Sequence, residues 1–411
     1  MNRVVITGMG AISPFGMGVE TLCSSIWQGK SAVKFMKEWQ HIKGLQSLLA
    51  APVPYIDEKK LIKRALRRTM GPMAIWSVLA AREAIKDANL TSKELSSGYT
   101  GVILGSTTGS PSIHEAFYRE FLPEETIEGV KSGVFFKIMG HSCAANVCLD
   151  LKIKGHQWAT TSACTSSSQA IGLGFIILKM GLQEIMLCGG ADEVHPTVTM
   201  VFDVLKAASR KNDSPNTTPS PFDKNRDGVV CGGGAGILVL ETLESARKRK
   251  AKIYAEIIGF SLNCDSQHIA NPDSHQMATV MENALRDANI NTKDIDHINA
   301  HATGTTKGDI AESQAIKKIF GKNTPTSSIK GHIGHSLGAA GVLESIVAVE
   351  CLRRQQLVPT LNLEDPDPEC DILLVQEEVV PQKLDIVLKN NFALGGVNTS
   401  LIFRRWNNND R

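Results

Sequence analysis

The chain of 411 residues has no paired-cysteine motif, no long apolar run and no excess of one charge. Its nine cysteines (23, 143, 148, 164, 188, 231, 264, 351 and 370) form no CxxC pair and are odd in number. That argues against a disulfide framework and for reduced thiols in a cytoplasmic protein. The longest apolar stretches, such as "IGLGFIILKMGL", are too short or too interrupted to span a bilayer. The opening "MNRVVITGMG" enters a strand-like segment with none of the features of a secretory leader. The net charge is +2 and the basic residues are scattered, so there is no nucleic-acid footprint.

What is present is a large apolar content, 42%, enough for a sizeable core and for two domains or two fused halves. Short β-rich runs ("RVVITGMG", "TGVILGS", "EIMLCGGAD", "AGILVLET", "HINAHATG", "TSLIFRR") alternate with helix-like segments at 70–88, 167–181, 276–288 and 337–354. That alternation predicts α/β architecture with largely buried sheets. An internal echo supports two related halves, 1–250 and 251–411. "RVVITGMGAIS" and "IYAEIIGFSLN" each lead to a helical segment ending in Asp-Ala-Asn, at 87–89 and 287–289. The polar loop 209–228 is long enough to expect a role in function.

The stretch "TTSACTSSSQAIGLG", residues 160–174, sets Cys164 among small residues just after a strand-like run. Ser166 and Gln169 have capping-box spacing, which predicts a helix start there. The thiol then lies at a helix N-terminus, where unpaired N–H groups and the dipole favour the thiolate. The alternative is a buried structural cysteine; a nucleophile needs further groups to stabilise charge. "NAHATGTTKGD" offers His301, Thr303 and Thr305, and "KGHIGHSLGAAGVLES" offers Lys330, His332, His335 and Glu344. Both read as strand-end turns followed by helices, where α/β folds place their sites. His332 and His335 have helical spacing for a metal, but no carboxylate or thiolate stands at ligand spacing, which disfavours zinc. Lys330 and Glu344 read as a supporting ion pair or as solvated charges. "NNFALGGVNTS" reads as a tight turn, or as a source of N–H donors for an oxyanion.

Two motifs are decoys. "GMGAISPFG" has Ser13 where a dinucleotide fingerprint needs its third glycine. "DKNRDG" begins like a calcium loop, but Gly234 stands where that loop needs its glutamate.

In this order, "VVITGMGAISPFG", "TTSACTSSSQAIG", "PFDKNRDGVVCGGGAG", "NAHATGTTKGD", "KGHIGHSLGAAG" and "GGVNTSLIF" resemble the β-ketoacyl-acyl-carrier-protein synthases and type II polyketide ketosynthases. The resemblance spans nearly the whole chain. It implies a thiolase-like fold, with two α/β halves in a five-layered αβαβα arrangement, and a dimer. It implies a Cys-His-His site at Cys164, His301 and His335, supported by Lys330 and Glu344. The oxyanion hole falls on the N–H groups of Cys164 and Leu394, and the phosphopantetheine channel on Thr303 and Thr305. No metal or free cofactor is implied; substrates ride on the phosphopantetheine arm of an acyl carrier protein.

Three departures from the fatty-acid pattern stand out: Ala302 for a glycine, Gly233 for an acid, and Ala393-Leu394 for Gly-Phe. Leucine implies a different acyl gate and alanine a stiffer turn. They favour a specialised type II polyketide or aryl polyene-like ketosynthase over housekeeping fatty acid elongation. Cys164 disfavours a non-catalytic chain-length-factor subunit, although pairing with one, as a heterodimer in place of a homodimer, stays open. The basic run Lys63, Arg64, Arg67 and Arg68 is a candidate surface for the acidic carrier.

Overall fold

The computed structural model describes residues 1–376 and 378–407. The first half carries β1 (Val4–Ser13), β2 (Thr100–Gly105), β3 (Gln157–Thr160), β4 (Ile185–Asp192) and β5 (Gly234–Thr242). The second carries β6 (Ala255–Cys264), β7 (His297–Asn299), β8 (Thr326–Ser327), β9 (Ile386–Phe392) and β10 (Val397–Arg405). The order along the sheet is β8-β7-β9-β10-β6-β1-β5-β4-β2-β3. Each half therefore repeats one pattern: third, second, fourth, fifth, first. The directions repeat too. The second strand is parallel to the third and fourth, and the fifth is antiparallel to the fourth and first.

The helices complete the layers. α1 (Pro72–Ala88) and α2 (Ser142–Leu151) cover one outer face; α4 (Ser274–Ala288) and α5 (Thr306–Phe320) cover the other. Between the half-sheets run α3 (Ser166–Lys179) and α6 (Ala340–Arg354), each touching both halves. Their low amphipathicity follows: a helix between two sheets needs an apolar surface all round. This is the five-layered α/β arrangement expected from the resemblance. Among the described residues, no helix is long and apolar enough to cross a membrane.

The Asp-Ala-Asn echo has a physical cause. β1 bulges between Ile6 and Gly8, and β6 between Ile257 and Gly259. At each bulge a helix presses on a glycine. A Cβ on Gly8 would lie 2.3 Å from the Ala84 carbonyl oxygen, and one on Gly259 2.6 Å from that of Ala284. Ala88 and Ala288 are the nearest side chains at the two contacts. Asp87 accepts the Met9 N–H at 3.0 Å, and Asp287 accepts that of Phe260 at 3.1 Å. Asn89 and Asn289 then end their helices in the left-handed conformation, at φ 54° and 52°.

The decoys resolve the same way. Gly8 and Gly10 lie inside β1 against α1, not at a strand-to-helix turn. The Asp223 carboxylate accepts backbone N–H groups from Asn225, Glu364 and Asp365, so its oxygens serve a turn. The long loop also has a structural task. Its Arg226 is buried and pairs with Asp367 at 2.6 Å, while its Phe222 N–H bonds Asp309 at 2.9 Å. Asp309 in turn receives the N–H groups of Thr303 and Gly304 at 3.0 and 3.2 Å, fixing the turn after His301.

Candidate active site

β3 leads into a tight turn, Ala163–Thr165, that precedes α3 and carries Cys164. Ala163 is held at φ 47°, a left-handed conformation that costs an L-residue about 1–2 kcal/mol. The expected capping box is absent. The Ser166 hydroxyl donates to the Ala163 carbonyl at 2.7 Å and accepts the Ser162 N–H at 3.0 Å. Gln169 instead accepts the Ser162 hydroxyl at 2.8 Å. α3 starts at Ser166, already helical, rather than after a capping serine.

Cys164 is 5% exposed. Burial pushes its thiol up to about 12, against the pull of the Lys330 charge and of a hydrogen bond from the Leu394 N–H. The resting thiolate expected from the helix end is thereby corrected. A helix N-terminus contributes about 1 kcal/mol, under one pK unit, whereas burial shifts a charged group by several. At neutral pH the sulfur keeps its proton.

His301 and His335 come from the turns after β7 and β8 and are buried. Their rings meet edge-on, 5.1 Å between centroids, and their ligating atoms and the Cys164 sulfur lie within 4.8 Å of one another. Burial holds both neutral, lowering His335 to about 3 and His301 well below its usual value, and the Lys330 charge adds to the effect. The His301 tautomer follows from its neighbours. Nδ1 faces the Lys330 ammonium at 3.4 Å and the Asn391 amide nitrogen at 3.1 Å. The Asn391 nitrogen also donates to Glu344 at 2.8 Å, which fixes the amide's orientation. Two donors face Nδ1, so Nδ1 is the acceptor and Nε2 carries the proton. Both ring nitrogens of His335 are buried without a protein partner, the mark of groups kept for a substrate.

The same neighbours bear on metal binding. Metal-bound imidazoles donate their second N–H to an acceptor. His301 has only donors behind it, one a cation, so the Cys-His-His cluster does not fit a metal ion. His332 stands apart, with its ring nitrogens at 3.0 and 3.4 Å from the Lys30 and Pro359 carbonyls. It is a core residue whose single N–H serves one of the two carbonyls.

Lys330 and Glu344 form a fully buried pair, in place of solvated charges. Sequence reasoning missed four groups around them. Lys389 lies 3.0 Å from Glu344, Ser168 and Asn391 hydrogen-bond each other, and Glu312 accepts the His301 and Ala302 N–H groups at 2.9 and 2.7 Å. β9, which carries Lys389 and Asn391, was not foreseen as a strand. The run "KNN" before the glycine turn, three polar residues beside buried apolar ones, was the available signal.

Two cavities meet at Cys164. One, of about 530 Å³, is lined by His301, Thr303, Thr305, Lys307, His335 and Leu394. The other, of about 480 Å³, lies toward Pro111, His114, Tyr118, Val198 and Val201. Leu394 and Phe202 border both. The turn beyond Leu394 is made by Gly395 and Gly396, at φ 91° and 76°. Ala393 takes no such conformation, and neither does Ala302, so both positions accept alanine without backbone strain.

Residues 1–246 match the β-ketoacyl synthase N-terminal domain family and residues 254–364 the β-ketoacyl synthase C-terminal domain family. The chain is 35% identical to 3-oxoacyl-[acyl-carrier-protein] synthase 1 of Haemophilus influenzae, over 99% of this chain and 100% of that one. A crystal structure of a β-ketoacyl synthase from Burkholderia phymatum superposes with a TM-score of 0.95 at 41% identity, covering 99% of this chain and 100% of that one. The ishigamide ketosynthase/chain length factor superposes at 0.92 with 31% identity and the same coverage. Thiol, paired neutral histidines and duplicated layered fold thus belong together: the chain is a member of the β-ketoacyl synthase family, a ketosynthase and acyltransferase.

Proposed function

We propose that the enzyme extends an acyl chain on Cys164 by decarboxylative Claisen condensation with a malonyl thioester, in a specialised type II polyketide pathway of aryl polyene-like type. The observation that carries the chemistry is the convergence of Cys164, His301 and His335 where two cavities join. An acyl thioester on a carrier protein enters by the threonine-lined cavity, and its chain passes Leu394 into the second. The Cys164 sulfur attacks the carbonyl, the thiol proton ends on the departing carrier thiol, and the N–H groups of Cys164 and Leu394 hold the oxyanion. A malonyl thioester follows. Loss of carbon dioxide leaves the electron pair as an enolate, whose oxygen accepts N–H bonds from His301 and His335. The enolate carbon attacks the acyl-Cys164 carbonyl, the sulfur departs as a thiolate and takes up a proton from solvent, and the chain leaves two carbons longer. No step calls for a metal or a bound cofactor.

Leu394 in place of a bulkier gate supports the specialised pathway, and so do Ala302 and Gly233. The 35% identity to the Haemophilus synthase favours a second reading, fatty acid elongation. The partner is an acyl carrier protein, with Lys63, Arg64 and Arg68 exposed to meet its acidic face. Arg67 is less free, since it bonds the Ile62 carbonyl at 3.0 Å. A homodimer, or a heterodimer with a chain-length-factor-like subunit, would cover β3, an edge strand whose Trp158 is 52% exposed. Nine unpaired cysteines suit the reducing cytoplasm.

The test is intact-protein mass spectrometry after exposure to saturated, polyunsaturated and aryl-ended acyl carriers, with Cys164→Ala as control. Loading of native enzyme by unsaturated or aryl chains alone supports the specialised pathway. Efficient loading by saturated chains assigns fatty acid elongation. Loading that survives in Cys164→Ala refutes the assignment of the nucleophile.

A further inference from the structure

Behind the two histidines lies a lysine with no part in the chemistry described above. Lys389 projects from β9 into the interior with its side chain fully buried. Its ammonium lies 3.0 Å from Glu344 Oε2 and 3.3 Å from the Ser168 hydroxyl. Lysine is almost never fully buried unless paired, and here the pair is already claimed. Glu344 also binds the Lys330 ammonium and the Asn391 amide, which in turn bonds His301. Two ammonium groups therefore share one carboxylate, directly behind the site where the enolate forms. Ionic pairing of Glu344 needs only one cation; the second adds positive charge behind the histidines.

We propose that Lys389 is a positioning residue that acts through the Glu344–Asn391–His301 network and supplies positive charge favouring enolate formation. The charged and titratable groups facing this cluster are Glu344 on α6, Lys330 at the β8 turn, Glu312 on α5, and His301 and His335. The histidines stay neutral and Glu344 stays ionised through the neutral range. Burial lowers Lys389 to about 8, and Glu312, raised to about 7, titrates below it. Glu312 becomes an anion as pH rises through about 7, in native enzyme and Lys389 variants alike, and the charge that Lys389 itself supplies is lost as pH rises through about 8.

The inference rests on the assignment of His301 and His335 as enolate donors, and the experiment separates the two. Enzyme already acylated on Cys164 is mixed with malonyl carrier, and carbon dioxide release is followed in single turnover from pH 6.5 to 9.5. Acylation removes the thiol from the titration. The native rate falls on the order of tenfold through a midpoint near pH 8. Lys389→Gln and Lys389→Met start lower by a similar factor at pH 7 and show no such fall, with the KM for malonyl carrier unchanged. A flat native profile, or the same alkaline fall in either folded variant, overturns the proposal. Should neither variant fold, ¹⁵Nζ NMR of lysines in the native enzyme decides. A titration coincident with the kinetic midpoint supports the role, and a Lys389 that stays charged through pH 9.5 overturns it. His301→Ala tests the underlying assignment separately: unimpaired carbon dioxide release would refute the donor role itself, whatever the pH profile.

Discussion

Replacing Glu344 by glutamine would leave two buried ammonium groups with no anion between them. Glu344 is 1% exposed, and Lys330, Lys389 and Asn391 all bind its carboxylate. Removing one partner of a buried pair costs about 3–5 kcal/mol, because the remaining charge keeps its desolvation penalty. For a chain of this length that lowers the thermal midpoint by roughly 3–10 °C. The loss depends on pH. Glu344 holds up the Lys389 ammonium, so in the variant Lys389 gives up its proton below its native midpoint of about 8, and above that pH neither protein carries a charge on Lys389. Glu344→Gln is therefore less damaging at pH 9.5 than at pH 7. Adding Lys389→Met removes one stranded charge with an apolar side chain of similar length, so the double variant is more stable than Glu344→Gln alone. Thermal unfolding of the three proteins at both pH values completes the cycle. A single variant as stable as native, or a double variant no better than the single, would refute the shared-carboxylate reasoning.

Other predictions concern the frame and the carrier. Asp87→Ala leaves the Met9 N–H and the Tyr254 hydroxyl without their acceptor, at a cost of about 1–3 kcal/mol by thermal unfolding. Asp287→Ala costs less, because the Phe260 N–H that it frees is open to water. Charge reversal at Arg64 and Arg68 raises the KM for acyl carrier several-fold at low salt, with the difference shrinking at high salt. An unchanged KM places the carrier elsewhere.

Much of this organisation was legible in the chain, and the exceptions have separate causes. Asp-Ala-Asn repeats because two strands make the same bulge under two helices, so local demands recur. Cys164, His301 and His335 were legible because strand-end turns advertise themselves through glycine and small residues. Lys389 was not. A lysine in a short polar run looks solvated until β9 is placed against α6, and only long-range packing does that. Glu312 fails for the same reason: its partners are backbone N–H groups of a distant turn. The capping box failed because the Ser166 hydroxyl found a nearer carbonyl. The thiolate expectation failed on magnitude, since spacing shows a helix end but not how deeply it is buried.

The two central helices carry a consequence for biosynthesis. α3 follows Cys164 and belongs to the first half of the chain, yet part of its surface rests on β6 and β10 of the second. A ribosome delivers that helix well before its cover exists. Until the second half emerges, the nascent first half exposes an apolar helix, and its thiol has neither His301 nor His335 beside it. Such a species is prone to aggregate and invites chaperone capture. It also has no means of condensing anything, so the chemistry begins only when the final strands close over it.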